Sequence, residues 1–193
     1  MRFLFYFIHR LYVWLLRSSH SRGFGVQSPS AYSFIRYVIN EHYPYYAYDD
    51  LKHDFPNVGH AERRLCRLYF RIANYAQASS WFSYGVDSRV RRYYIQGGCN
   101  STSVVYSLQQ LDRISIADVL MTDGYATVIE SVLSKVSSSS ILIIEGIHDN
   151  RENKRYWIQL IEDKRCGVSY DLYYCGIIFF DLTKYKQHYL VNF

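Results

Sequence analysis

The chain has 193 residues, 49% of them apolar, and a formal net charge of +5. This composition fits one domain with a full hydrophobic core plus an N-terminal appendage, and it excludes an intrinsically disordered chain. The four cysteines include no C-x-x-C pair and no metal-ligand spacing, which argues against a disulfide framework and favours free thiols in a reducing, cytoplasmic location. The arginine clusters at 63–67 and 89–92 fall in predicted helices, where charges usually form a solvated face, so nucleic-acid binding is not expected.

Residues 1–17 are apolar but carry basic side chains. His9 and Arg10 interrupt the run, so it lacks the ~20 apolar residues of a membrane span, and no cleavage site for a signal peptide follows. On a helix the basic residues share an arc of about 100°: Arg2, His9, Arg10 and Arg17. The pattern predicts an amphipathic helix over 1–17, which either docks on the protein's own core or a partner, or lies on the inner membrane surface.

Residues 18–77 are predicted to be a helical region. Ser28 before Pro29 is typical of an N-cap followed by proline at the first helical position. Apolar residues at three- and four-residue spacing then predict a helix that ends near Tyr43 and Pro44. A second helix is predicted over 61–76, after a turn at 56–59.

Residues 78–193 alternate between strand-like and helix-like segments. A strand over 81–84 is followed by a helix over 89–96, which Gly97 and Gly98 are expected to stop, and by a strand over 104–106. Two apolar runs then end in acids, Asp123 and Glu145. Such alternation predicts a parallel sheet with right-handed crossovers, in which the acids lie where open α/β sheets place ligands. Two further strand-like runs, 168–180 and 187–193, follow.

Several short motifs in this order resemble the class I, S-adenosylmethionine-dependent methyltransferase fold. More narrowly, the chain is similar to short bacterial methyltransferase-like proteins with a G-V-H-S-P-F element near the N-terminus, which here is G-V-Q-S-P-S at 25–30. The strand ends I-D-G and D-D-I-H of that group correspond to T-D-G at 122–124 and E-G-I-H at 145–148. The resemblance covers residues 20–193 and implies a Rossmann-like sheet closed by an antiparallel hairpin at 170–180.

The cofactor loop departs from the pattern of that family. The family has E/D-x-G-x-G-x-G after the first strand, and this chain has S-Y-G-V-D-S-R at 83–89, so only Gly85 matches. Side chains at Asp87 and Arg89 are expected to crowd the pocket. No carboxylate follows the second strand, and the segment 106–116 is too short for the usual helix, strand and helix, so the sheet is expected to be abbreviated.

The resemblance also implies a set of site residues. Gly85, Asp87 and Asp123 would bind S-adenosylmethionine, and Asp123 with Glu145 would hold a divalent metal such as Mg²⁺, helped by His148 or Asp149. His148 would be the general base that deprotonates a small hydroxylated acceptor. The alternative for each strand-end residue is a purely structural role in capping loops and helix starts.

Two classes of function follow from these observations. In the first, the protein transfers a methyl group from S-adenosylmethionine to a small hydroxylated acceptor. In the second, it is a degenerate, non-catalytic relative, a pseudoenzyme that acts as a binding or assembly module and is attached to a membrane surface through residues 1–17.

Overall fold

The computed structural model describes residues 12–17, 25–85, 89–106 and 129–193, together with the backbone of residues 119–122. Within these residues, seven strands form one mixed sheet in the spatial order β2-β1-β3-β4-β6-β5-β7. Their bounds are β1 Ser80–Tyr84, β2 Ser103–Val105, β3 Val119–Thr122, β4 Ile141–Glu145, β5 Ser169–Asp171, β6 Cys175–Phe179 and β7 His188–Leu190. The architecture is therefore α/β, as the alternating sequence pattern predicts.

The direction of the strands divides the sheet into two parts. Strands β1 to β4 are mutually parallel, whereas β6 runs antiparallel to both β4 and β5. The hairpin predicted over 170–180 is thus β5 and β6, and β7 adds to it in parallel with β5. The predicted loss of a strand after Tyr106 concerns residues 107–118, which lie outside the described residues.

Six helices in the described ranges accompany the sheet, and residues 12–16 form a further helical turn. Their bounds are α1 Pro29–Phe34, which continues as a π-helix over Ile35–Ile39, α2 Ala47–Asp54, α3 His60–Ala76, α4 Arg89–Gly98, α5 Ile129–Leu133 and α6 Arg151–Glu162. In the described part of the chain, no helix is long and apolar enough to cross a membrane.

The predicted end of the first helix is wrong. The first helix ends at Ile39, not near Tyr43, because the buried guanidinium of Arg71 donates to the carbonyls of Val38 and Ile39 and satisfies the end of the π-helix there. Helix α2 was not predicted at all.

The helix predicted over 89–96 is two residues longer and ends at Gly98, the second of the two glycines that were expected to stop it. A Cβ on Gly98 would overlap the carbonyl oxygen of Phe70, so this glycine permits the close approach of α4 to α3.

Each face of the sheet carries its own hydrophobic core. Strand β4 is buried on both sides, with Ile141 and Ile143 facing the core formed with α1 and α3, and Leu142 and Ile144 facing the core formed with α5 and α6. A strand that is covered on both faces has a continuous apolar sequence and not an alternating one. The sequence of β4 has this continuous pattern.

The contact between β6 and α6 gives the first testable prediction. A Cβ on Gly176 would overlap the indole ring of Trp157, which is 2% exposed. We expect Gly176→Ala to lower the free energy of unfolding by about 1–3 kcal/mol in urea denaturation, because the core must shift to accept the methyl group. The matched control is Gly59→Ala, where an added Cβ meets nothing within 4 Å, with an expected cost of about 0.5 kcal/mol at that N-cap. Equal losses in the two variants would contradict the packing argument.

Candidate functional site

The carboxyl ends of the parallel strands lie along one edge of the sheet. Tyr84 of β1 pairs with Thr122 of β3, and Thr122 pairs with Ile144 of β4. This register confirms that the strands before Asp123 and Glu145 are neighbours. The side chains of Asp87 and Asp123 lie outside the described residues, so their predicted roles in cofactor or metal binding stay predictions.

Gly85 is the first residue after β1, and it has a φ of +73°. This is the left-handed region that favours glycine, because other residues pay a steric cost there. The turn that the resemblance assigns to the cofactor therefore begins at a glycine of the required conformation. Ser83, which replaces the acid of the family pattern, is buried within β1.

The bulky residues around this turn pack within their own elements. The Tyr84 ring is half-buried and stacks on Phe82, with 6.4 Å between the ring centroids. Arg89 is exposed, and its guanidinium lies 5.6 Å from the ring centroid of Tyr93, one helical turn away on α4. Both side chains make contacts along the chain segments to which they belong.

Glu145 forms a half-buried ionic cluster at the end of β4. The hydroxyl of Tyr69 donates to Glu145 Oε1 at 2.6 Å, and Arg91 Nη2 donates to Oε2 at 3.1 Å. Burial and the nearby Glu145 carboxylate raise the pKa of Tyr69 well above 10, so its hydroxyl remains a donor. Arg91 was expected on a solvated helix face, but its side chain is only 16% exposed because it reaches this carboxylate. Within the described ranges, no group of three or more potential metal ligands occurs.

His148 is held in place by the turn that follows β4. Gly146 leaves the strand with a φ of +67°, and Asn153 Nδ2 donates to its carbonyl oxygen at 3.0 Å. Asn150 then caps α6, its Oδ1 accepting from the backbone of Asn153 at 2.8 Å. The short loop between β4 and α6 is therefore tied at both ends, and it carries His148.

His148 lies next to a carboxylate that sequence analysis did not single out. His148 Nε2 is 2.7 Å from Oδ2 of Asp171, the last residue of β5, although β6 lies between β4 and β5 in the sheet. The Asp171 side chain is only 4% exposed. A buried carboxylate against one ring nitrogen sets the tautomer and orientation of the imidazole, which is the arrangement of a histidine base with its orienting acid.

Two further groups hold the other carboxylate oxygen of Asp171, and one of them also binds its backbone carbonyl. Arg17 Nη1 donates to Oδ1 at 2.9 Å and to the Asp171 carbonyl at 3.1 Å, and the backbone nitrogen of Tyr173 donates to Oδ1 at 2.8 Å. Burial alone would raise the pKa of Asp171, but the hydrogen bond with His148 and the positive charge of Arg17 outweigh it and lower the pKa to about 2. Asp171 is thus a carboxylate throughout the physiological range.

Tyr173 completes this cluster, which we call the His148–Asp171 cluster and which consists of Arg17, His148, Asp171 and Tyr173. The Tyr173 ring stacks on the imidazole, with 5.3 Å between centroids and 13° between planes. Its φ of +73° is unusual for an aromatic residue and indicates backbone strain at this turn. A cavity of about 290 Å³ borders the cluster, lined by Val13, Leu16, Arg17, His148, Lys154, Tyr173 and Leu190.

Comparisons with known proteins identify a fold. No family model and no curated protein matches the sequence. Among solved structures, the chain is similar to the S-adenosylhomocysteine-bound methyltransferase PaMTH1 of Podospora anserina, with a TM-score of 0.54 and 12% identity over 78% of this chain and 93% of that one. A candidate O-methyltransferase from Klebsiella pneumoniae aligns with a TM-score of 0.45 and 11% identity, over 72% of this chain and 91% of that one. The chain therefore has a methyltransferase fold.

Proposed function

We propose that this protein is an S-adenosylmethionine-dependent methyltransferase that acts on a small hydroxylated acceptor. One observation carries the proposal: a buried His–Asp pair and a positive-φ glycine turn stand at the same edge of a sheet with a methyltransferase fold. Ligands of open α/β sheets bind at the carboxyl ends of the strands. The neighbour PaMTH1 holds S-adenosylhomocysteine, the product that remains when this cofactor has given up its methyl group.

We assign the cofactor to the end of β1. The positive φ of Gly85 lets the backbone approach a ligand closely, and Asp123 follows the neighbouring strand as a candidate anchor for polar groups of the cofactor. Asp87 is the third residue that we assign to this site. Bound S-adenosylmethionine would supply an electrophilic methyl group there.

The His148–Asp171 cluster supplies the base in this proposal. His148 Nε2 contacts Asp171, so we assign Nδ1 to take the proton from the acceptor hydroxyl. Asp171 then stabilises the imidazolium that forms, and the pKa of about 2 keeps Asp171 from taking the proton itself. Val13, Leu16 and Leu190 give the 290 Å³ cavity an apolar wall for the carbon skeleton of the acceptor.

A divalent metal between Asp123 and Glu145 is not part of the mechanism that we favour. Arg91 Nη2 lies 3.1 Å from Glu145, and its positive charge opposes a second cation on the same carboxylate. The test below includes Mg²⁺ for this reason.

Calorimetric titration with S-adenosylmethionine and S-adenosylhomocysteine, with and without Mg²⁺, tests cofactor binding. We expect micromolar binding that is lost in Asp123→Ala and that does not require Mg²⁺. The matched control is Asp54→Ala, which removes an exposed carboxylate of α2. No heat of binding at millimolar ligand would contradict the enzymatic proposal and leave the pseudoenzyme alternative.

The second candidate function, a membrane-attached binding or assembly module, is favoured by the helical turn at 12–16. Its side chains Tyr12, Trp14, Leu15 and Leu16 are 52–59% exposed, whereas the basic Arg17 after them is buried against Asp171. The segment is thus anchored through its arginine and presents apolar side chains outward. Aromatic and aliphatic residues beside basic ones are typical of helices that lie in a membrane interface.

Co-sedimentation with anionic liposomes tests this attachment. We expect the full chain to sediment with the vesicles and the double variant Trp14→Ser, Leu15→Ser to remain in the supernatant, since the apolar contact area is lost. This change keeps Arg17 and its ion pair, which a deletion of residues 1–17 would remove. Tyr37→Ser on the π-helical segment is the control, because Tyr37 is exposed to 62% but lies far along the chain from this helix. Equal sedimentation of all three proteins would argue against the membrane role.

A further inference from the structure

A second cavity lies apart from the proposed methyltransferase site. It has a volume of about 300 Å³ and is formed by residues 39–49, one face of α3 and Phe193. No member of the His148–Asp171 cluster lines it, nor does Gly85 or Glu145. Its ligand is therefore a question independent of the reaction proposed above.

Three arginines of α3 face this cavity. Arg64, Arg67 and Arg71 are three and four residues apart, so they share an arc of about 60° on the helix. Two side-chain carboxylates, Glu41 and Asp49, also line the cavity, so the lining side chains carry one excess positive charge. The Glu41 carboxylate accepts a hydrogen bond of 2.8 Å from the Tyr45 hydroxyl, and Asp49 is exposed in the first turn of α2.

Two buried donors at this cavity lack acceptors. Arg67 Nε and Asn40 Nδ2 are both inaccessible to solvent, and neither has a hydrogen-bond partner among the described residues. Buried polar groups without partners are rare in folded proteins because each costs free energy. Since both groups are donors, the partner that would satisfy them is an acceptor, and the neighbouring arginines favour one with negative charge.

Aromatic rings hold two of the guanidinium groups. Arg67 lies 4.9 Å from the ring centroid of Tyr48, and Arg64 lies 4.9 Å from that of Phe193. A guanidinium held against a ring keeps its planar set of donors oriented, and such a set matches the oxygens of phosphate and carboxylate groups. Arg71 is buried and already binds the carbonyls of Val38 and Ile39, so it contributes charge from a fixed position.

We propose that this cavity binds an oxyanion, the phosphate or carboxylate group of a small molecule. Small rotations of the Arg67 and Asn40 side chains bring the buried Nε and Nδ2 to the anion as its direct donors, and Arg64 and Arg71 supply the surrounding positive charge. The rings of Tyr43 and Tyr48 at the same cavity suit an aromatic group attached to the anion.

The experiment is a calorimetric titration of the full chain with inorganic phosphate, phenyl phosphate and benzoate at constant ionic strength. We expect at least one of them to bind, and we expect Asn40→Asp and Arg67→Gln each to weaken that binding by about tenfold or more. Asn40→Asp is nearly isosteric, removes both Nδ2 donors and adds a repelling charge. The control is Arg36→Gln, which removes an exposed arginine from the same region without touching the cavity. The preferred ligand shows whether phosphate or carboxylate is the natural group.

Two results would overturn the proposal. One is that none of the three anions binds the wild-type chain at millimolar concentration, and the other is that both cavity variants bind as tightly as Arg36→Gln. If a variant fails to fold, the wild-type chain still decides the matter through the nuclear magnetic resonance signal of the Arg67 Nε–H. That signal shifts on titration if the anion binds there, and an unchanged signal rejects the site.

Discussion

Replacement of His148 by Gln is expected to lower the rate of methyl transfer by about 100-fold or more while leaving the affinity for S-adenosylmethionine unchanged. Glutamine keeps a polar side chain of similar reach but cannot take a proton, and a positioned base contributes about 10²–10⁴-fold to such reactions. The measurement is release of S-adenosylhomocysteine from S-adenosylmethionine across a panel of small phenols and alcohols, with calorimetry for cofactor affinity.

The matched control for this variant is His53→Gln. The His53 side chain is 92% exposed on α2, and it makes only a long contact of 3.6 Å to the neighbouring Asp54. We expect His53→Gln to retain the wild-type rate. If His148→Gln were equally active on an accepted substrate, His148 would have to be reassigned to a structural role beside Asp171.

Asp171→Asn is expected to destabilise the fold by about 3 kcal/mol at neutral pH. The substitution removes the counter-charge of the Arg17 guanidinium, whose side chain is only 10% exposed. Removing one partner of a buried ion pair is strongly unfavourable, because the other charge stays buried and uncompensated. Urea denaturation at pH 7 gives the free energy of unfolding for the variant and the wild type. Asp54→Asn, which changes an exposed carboxylate, is the control and is expected to stay within about 0.5 kcal/mol of the wild type.

The same carboxylate gives the wild-type protein a defined sensitivity to acid. The pKa of Asp171 is about 2 in the folded protein, whereas its ordinary value, which applies to the unfolded chain, is 3.8. Between pH 2 and pH 3.8 the folded state therefore binds fewer protons at this residue than the unfolded state does. Asp171 therefore contributes about 2 kcal/mol to the free energy of unfolding above pH 4, and this contribution is lost as the pH falls towards 2. We expect Asp171→Asn to lack this part of the pH dependence, and parallel stability curves for the two proteins between pH 4 and 2 would contradict it.

The His148 and Asp171 experiments together separate the chemical role of the cluster from its structural role. Arg17 comes from the N-terminal segment, His148 from the loop after β4, and Asp171 from the closing hairpin. The 290 Å³ cavity is therefore lined in part by the same segment whose apolar side chains are exposed on the outside. If that segment binds a membrane, the proposed acceptor would reach His148 next to the membrane surface.

Local patterns predicted a large part of the fold. The continuous apolar run that becomes β4, the N-cap Ser28 before Pro29 and the helix at 60–76 are each determined by residues within a few positions of one another. The same is true of Gly85, whose position after an apolar run marks a turn. Where prediction failed, a distant residue had intervened: Arg71 ends the first helix at residues 38 and 39 from another element.

The sequence by itself determined an α/β chain with parallel strands, acids at two strand ends and a closing hairpin, because these depend on periodicity and on turn chemistry. Only the tertiary structure decided what His148 contacts, since Asp171 is 23 positions away and its distance depends on the register of β6 between β4 and β5. The same applies to Arg17, 154 positions from Asp171, which the sequence presents as one basic residue of an amphipathic arc. A buried charge needs a partner because its desolvation is unfavourable, and that cost does not depend on how far apart the two residues are in the sequence. The partner is therefore whichever charged residue the packed sheet places next to it.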